Sequence, residues 1–217
     1  MTDTSLISRT RRLRIALWSA AALAAIVAAP LVWTSFRAPA AQGPAFSGEA
    51  DMRSAFTLTD HTGRAVTEAD FAGRWQLVFF GFTHCPDICP TTLAYMASVF
   101  DLLGDEADRV APLFITVDPA RDTVPVMAEY VSVFHPRLTG LTGTEAQVAE
   151  AARNFRTWFE RTEDATAPDG YFMAHAGHLY LMRPDGAFEA VFLEGDQPPE
   201  ALAEEIEMRI EKEDTAR

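Results

Sequence analysis

Between Arg14 and Arg37 the chain runs for 22 residues, Ile15 to Phe36, without a charge. About 20 apolar residues cross the hydrocarbon core of a bilayer. This stretch therefore divides the chain into a short leading piece and a long remainder that folds separately. Arg9, Arg11, Arg12 and Arg14 crowd its leading flank, which by the positive-inside rule places Met1 in the cytoplasm. Trp18 and Trp33 stand near its two ends, where interfacial aromatic residues belong. A cleaved signal peptide is the rival reading, since Ala38-Pro39-Ala40 resembles a small-residue cleavage site. Signal peptides, however, usually have a shorter apolar stretch, about 7–15 residues. An uncleaved anchor is the favoured reading, and either way residues 38–217 are exported. A buried core helix does not fit the arginine flank.

The expected organisation is a cytoplasmic N-terminus over residues 1–14, a transmembrane helix over 15–36 and a linker over 37–52. The linker is rich in Ala, Pro and Gly. Residues 53–217 then make one domain. The net charge is −13 overall, with 48% hydrophobic residues. That excludes a disordered chain and makes nucleic acid, with its own negative charge, a poor partner. Two cysteines exclude a disulfide-rich scaffold and any four-cysteine zinc or iron–sulfur site in one chain.

Within the domain, Gln76 to Phe80 and Val110 to Val117 are apolar runs of strand length, the mark of strands buried on both faces. Ser54–Thr59 and Ala65–Val66 read as short strands around a turn at Asp60 to Gly63. Leu93, Met96, Ala97, Phe100 and Leu103 recur at helical spacing. Val124–Phe134 and Ala146–Phe159 read as two more helices. Leu179–Met182 and Phe188–Leu193 flank Pro184-Asp185-Gly186, a hairpin signal. A last helix starts at Pro198-Pro199, with Leu202, Ile206 and Ile210 as its apolar stripe and glutamates on its other faces. Strands alternating with helices predict an α/β domain with a mixed central sheet, whose sites gather at the carboxyl ends of strands.

There lies Gly81-Phe82-Thr83-His84-Cys85-Pro86-Asp87-Ile88-Cys89-Pro90. Cysteines four apart share one face of a helix or converge in a turn. A helix N-terminus favours thiolate, the form that binds soft metals and attacks disulfides. A static disulfide is the bland alternative, but so short a loop gains little from being closed. Two thiolates underfill a metal site, and a histidine is the natural third ligand. His61 lies in a polar turn, His135 follows a helix, and His84 points away from its neighbour Cys85 on an extended chain. That leaves Met173-Ala174-His175-Ala176-Gly177-His178, where strand alternation lets only one of the two histidines face the cysteines unless Gly177 makes a bulge. Spacing alone does not choose between them.

On these residues the chain resembles the Sco/SenC family of membrane-anchored copper proteins. The segment Gly81 to Pro90 matches the family's copper motif throughout. Val117-Asp118-Pro119-Ala120-Arg121-Asp122-Thr123 matches its second signature, with Ala120 where Glu is common. His175, five residues before Tyr180 and followed by Pro184-Asp185-Gly186, matches the histidine block. The resemblance covers about residues 50–210. It implies a thioredoxin-like fold in which Cys85, Cys89 and His175 bind one copper ion, and it chooses His175 over His178. The implied role is delivery of copper to the binuclear centre of a haem–copper oxidase, with thiol–disulfide exchange on the same target as a related role. Two departures stand out: Ala174 where the family usually has Asp, and Ala176 where it usually has Ser or Thr. Loss of an acceptor that orients the imidazole weakens a site, which leaves affinity and preferred oxidation state open here.

Two thiolates and an imidazole suit Cu(I) in a three-coordinate site. Cu(II) needs a fourth ligand, water or a carboxylate. Asp87 and Asp118 are the candidates, though each also reads as a loop cap or turn residue. An open site of few ligands suits handing a metal on, whereas a closed one suits storage. Three readings follow: a metallochaperone, an exported thiol–disulfide reductase, and a copper or redox sensor. The reductase is disfavoured because three residues, not two, separate the cysteines. The expected partners are the copper-site subunit of the oxidase, a copper donor, and an exported thiol reductant, since that compartment favours disulfides. The expected location is the inner (cytoplasmic) membrane, single-pass, with the C-terminal domain in the periplasm.

Overall fold

The computed structural model describes residues 52–167, 169–193 and 195–216. The expected cytoplasmic piece, anchor and nearly all of the linker lie outside the described residues. Among the described residues no helix is long and apolar enough to cross a membrane.

The two apolar runs form the centre. Trp75–Gly81 (β3) and Val110–Thr116 (β4) are buried at every position. They pair in parallel from Trp75 opposite Val110 to Gly81 opposite Thr116. Side chains alternate across a strand, so continuous burial requires a layer on each face. Phe79 and Phe114 stack on one face, with Tyr130 against Phe114. On the other face Phe80 meets Phe155 edge-on. The remaining ladder strands are Thr57–Asp60 (β1), Ala65–Thr67 (β2), Thr139–Thr142 (β5), His178–Met182 (β8) and Phe188–Leu193 (β9). The seven-stranded order is β2-β1-β5-β4-β3-β8-β9. Only β3–β4 and β4–β5 are parallel, so the sheet is mixed as expected. Its helices are Ile88–Leu102 (α1), Val124–Ser132 (α2), Glu145–Asn154 (α3) and Pro199–Ala216 (α4). The last packs on α1, burying Leu202, Ile206 and Ile210 as the stripe requires. Gly186, with φ +77°, closes the β8–β9 connection.

Two elements depart from the reading above. The helix expected over Ala146–Phe159 is α3 alone. It begins at a capping box between Thr144 and Gln147. It stops at Asn154 because Phe155 turns fully into the core and Arg156 takes φ +50°. The chain then forms Phe159–Glu163 (β6), which pairs antiparallel with Tyr171–His175 (β7) in a separate two-stranded ribbon. Of the two, β6 leaves no mark in the sequence: it is charged and mostly exposed, so it carries no apolar period. The four residues of β5, Thr-Gly-Leu-Thr, were likewise too short to register.

The β1–β2 turn is held by one carboxylate. Buried Asp60 accepts from the Thr62 N–H (2.9 Å), the Thr62 hydroxyl (2.6 Å), the Arg64 N–H (3.0 Å) and Arg64 Nε (3.2 Å). Burial pulls its carboxyl upward, but these bonds outweigh burial and hold it at about 2. A carboxyl depressed in the folded state stabilises above its unfolded value, near 3.9, and loses that contribution as pH falls through the folded value. Asp60→Ala is expected to cost about 2 kcal/mol at neutral pH. The gap from the native chain should narrow as pH drops below about 4 towards the folded value. Urea unfolding midpoints across that range check this; a constant gap shows that the charge is not what holds the turn.

Candidate metal centre

Gly81 ends β3, and the chain then loops through residues 82–87 into α1. Cys85 lies in the loop, half-buried, while Cys89 lies in the first helical turn, buried. The two thiols are free. The Cys89 N–H points at Cys85 Sγ (3.4 Å), and the Phe82 N–H points at Cys89 Sγ (3.5 Å). Backbone donors thus face both sulfurs, the one on Cys85 from the helix N-terminus and the one on Cys89 from just past the end of β3. For Cys89, however, burial dominates: it pushes the thiol well up, and the Phe82 N–H only partly offsets it. The expected bias to thiolate does not hold for this cysteine, which keeps its proton until something replaces it.

His175 ends β7. Its Nε2 stands 3.3 Å from Cys89 Sγ, and its Nδ1 is 3.1 Å from the Ala176 carbonyl oxygen. With Nδ1 donating to that carbonyl, Nε2 keeps the lone pair and faces the sulfurs. Burial lowers the imidazole's proton affinity, with the backbone bonds acting the other way, which favours the neutral form that binds metal. Phe79 and Phe82 meet the ring edge-on, at 5.8 and 5.7 Å between centroids. The ligand atoms of Cys85, Cys89 and His175 all lie within 4.8 Å of one another. Among the described residues no fourth His, Cys, Asp or Glu joins them.

The other expected participants go elsewhere. His178 opens β8 in the main sheet, opposite Leu193, while His175 closes β7 in the ribbon. Alternation holds within one strand, whereas here Ala176 and Gly177 separate two. His61 Nδ1 faces the Gly140 N–H and His135 Nδ1 faces the Arg137 N–H. His84 sits beside the Thr83 hydroxyl. Asp118 is taken by Tyr171 and Arg121, and Asp87 stands at the start of α1. The two departures from the family pattern leave the imidazole oriented. Its acceptor is a backbone carbonyl, present whatever side chain stands at position 176. Ala174 is exposed on the ribbon, opposite Glu160.

Gly81 was quoted only as the start of the motif. A Cβ there would meet Cys89 Sγ at 2.7 Å, Phe114 at 2.9 Å and Phe79 at 2.9 Å. Only glycine lets α1 seat its buried sulfur against the end of β3. A glycine closing an apolar run beside a cysteine was the signal available.

Two thiols and an imidazole converging beyond the carboxyl ends of parallel strands define a soft-metal site on an α/β domain. The family model for SCO1/SenC matches residues 44–211. The mouse (Mus musculus) mitochondrial protein called SCO2 homolog is 50% identical over 135 residues, 61% of this chain and 52% of its own length. The chain thus spans about half of that relative. The copper-bound structure of Bradyrhizobium japonicum ScoI aligns with a TM-score of 0.67 and 38% identity, over 72% of this chain and 98% of that one. Copper-bound Arabidopsis thaliana ScoI aligns with a TM-score of 0.68 and 36% identity, over 74% and 99%. The chain belongs to the SCO1/SenC family, and its domain has that family's mixed α/β, thioredoxin-like fold. Cys85, Cys89 and His175 are its candidate metal site, and the structural neighbours hold copper.

Gly81→Ala is expected to displace Cys89 and weaken Cu(I) binding by about 5- to 150-fold, the equivalent of about 1–3 kcal/mol of overpacking. Competition against a Cu(I) chelator, with a melting curve to show the domain still folded, checks this. Unchanged affinity would mean that Cys89 Sγ does not depend on its seat.

Proposed function

We propose that this chain is a membrane-anchored copper metallochaperone. In this reading it binds one copper through Cys85, Cys89 and His175 and passes it to the binuclear copper centre of a haem–copper oxidase. The observation that carries the reading is the convergence of two sulfurs and one imidazole nitrogen within 4.8 Å on a fold whose relatives hold copper.

The donor set suits Cu(I), which is stable with three soft ligands. Among the described residues the cluster holds two sulfurs and one imidazole nitrogen, a set that matches Cu(I). Binding replaces the proton on Cys89, so copper uptake releases a proton and the thiolate forms only when a cation is there to balance it. Cys85 is the more open of the two sulfurs. It is the one an incoming ligand from a partner reaches first, and exchange of ligands one at a time lets an ion move without being released to water. The copper-site subunit of the oxidase is the acceptor in this reading, a copper donor loads the site, and an exported reductant keeps the thiols apart. The anchor at residues 15–36 holds the domain at the outer face of the inner membrane, in the periplasm, as the arginine-flanked uncharged stretch implies.

The reductase reading uses the same sulfurs, but a buried Cys89 whose thiol is pushed up is a poor source of thiolate. A sensor would need the same site and a signalling partner instead of an oxidase subunit.

Replacing Cys85 or Cys89 by Ser is expected to abolish tight Cu(I) binding. His175→Ala should weaken it by tenfold or more, and His178→Ala should leave it unchanged. Chelator competition with the reduced full chain measures all four. Full affinity in the Cys85→Ser chain would sink the reading. Loss only in His178→Ala would move the ligand to the other histidine.

A further inference from the structure

We propose that the loop after β4, residues 117–123, is a clamp that sets the distance between the cysteine loop and the histidine strand. Asp122 holds the first and Asp118 the second. This rests on the copper reading above and assigns roles to residues that touch no metal.

The need for a clamp follows from the topology. The cysteines hang from β3 and α1 in the main sheet. His175 belongs to a ribbon with no ladder to that sheet, joined along the chain to β8 only through Ala176 and Gly177. No ladder bond therefore fixes the gap between Cys89 Sγ and His175 Nε2, and the main sheet reaches the imidazole only locally, through a backbone bond at Phe80 and the rings of Phe79 and Phe82.

The loop reaches both sides. The Asp122 carboxylate, fully buried, accepts from the Thr83 N–H (3.1 Å), the Thr83 hydroxyl (2.6 Å) and the Thr116 hydroxyl (2.5 Å). Thr83 shares a peptide with Phe82, whose own N–H points at Cys89 Sγ. That N–H belongs to the preceding peptide, so holding Thr83 restrains the residue that carries the donor to the sulfur. On the other side the Asp118 carboxylate accepts from the Tyr171 hydroxyl (2.9 and 3.2 Å). Tyr171 is the first residue of β7, and four residues on, on the same face of the strand, is His175. Arg121 locks the two halves together. Its Nε donates to Asp118 (2.5 Å), and its guanidinium lies 4.2 Å from the Tyr171 ring and 5.9 Å from the Phe82 ring. A planar cation held between a carboxylate and two aromatic faces is well suited to this. The second signature thus ties the cysteine loop, through Thr83 and Phe82, to the histidine strand, through Tyr171.

Each arm can be cut by deleting one hydroxyl. Tyr171→Phe severs the histidine arm and Thr83→Val loosens the cysteine arm. Both keep side-chain size, and melting curves show whether the full chain stays folded. Cu(I) affinity is measured by chelator competition in the native and the His175→Ala backgrounds, so that each pair forms a double-mutant cycle. Tyr171→Phe is expected to weaken Cu(I) about tenfold in the native background and not at all once His175 is gone. Thr83→Val is expected to weaken it in both backgrounds and to shift the Cys85/Cys89 reduction potential, which Tyr171→Phe leaves in place. In the metal-free chain, Tyr171→Phe should move the imidazole nitrogen resonance of His175 towards that of an unconstrained ring. Equal losses for Tyr171→Phe in both backgrounds, or no loss in either with an unmoved resonance, overturn the clamp while the copper reading stands. A His175→Ala chain that binds Cu(I) as tightly as the native one overturns the copper reading and the clamp together.

Discussion

The site depends on one close contact, the buried sulfur of Cys89 against the backbone of Gly81. β3 ends with a residue that has no side chain, and α1 starts near enough to bring its first turn onto that gap. Everything else is arranged around this seat. Phe79 and Phe114 wall it from the core, and His175, its ring met edge-on by Phe79 and Phe82, approaches from the ribbon. A Cβ at position 81 would have to displace the sulfur or one of two packed aromatic rings, and tightly packed interiors resist such shifts.

Burial at that seat pushes the metal-free state towards protonated sulfur. The Cys89 thiol is pushed up because its anion would lie in an apolar wall, with the buried Asp122 and the neighbouring Cys85 adding to the cost. A buried anion is tolerable when a cation neutralises it. The same wall that makes Cys89 a poor nucleophile makes it a good ligand for a soft monovalent ion, because thiolate and metal arrive together. His175 follows the same logic from the other direction: burial disfavours its cation, leaving a neutral nitrogen aimed at the sulfurs.

Much of this was legible in the chain. Apolar runs marked β3 and β4, helical spacing marked α1 and α4, and Pro184-Asp185-Gly186 marked the β8–β9 hairpin, each by local periodicity or turn chemistry. The cysteine pair was visible because its spacing is short. The histidine was harder. Residues 175 and 178 were read as one strand, and alternation within a strand says nothing when the chain changes sheets at Ala176 and Gly177. The ribbon itself escaped because β6, Phe-Glu-Arg-Thr-Glu, is held by pairing with β7 instead of by apolar burial. Asp118 looked like a spare ligand from sequence. Its true partners, Tyr171 and Arg121, lie 53 residues away and three residues away, and only the first of these contacts shows which job it does. Long-range polar contacts leave no period in a sequence.

The structure also bears on which of the two sulfur chemistries the fold serves better. Disulfide exchange wants an exposed thiolate with a proton affinity near the ambient pH. Here the helical cysteine is buried and protonated, and the more open one lies in the preceding loop. Attack on a partner's disulfide would fall to Cys85, and Cys89 would have to lose its proton within an apolar wall to release the mixed product. A metal removes that obstacle by taking the proton's place. In thiol exchange a neutral imidazole 3.3 Å from the buried sulfur is placed as a general base for the Cys89 proton, working against the burial that holds it. As a third ligand the same ring completes a soft, three-coordinate set. The position of His175 therefore suits either chemistry, and metal binding is the one that uses its lone pair together with both sulfurs.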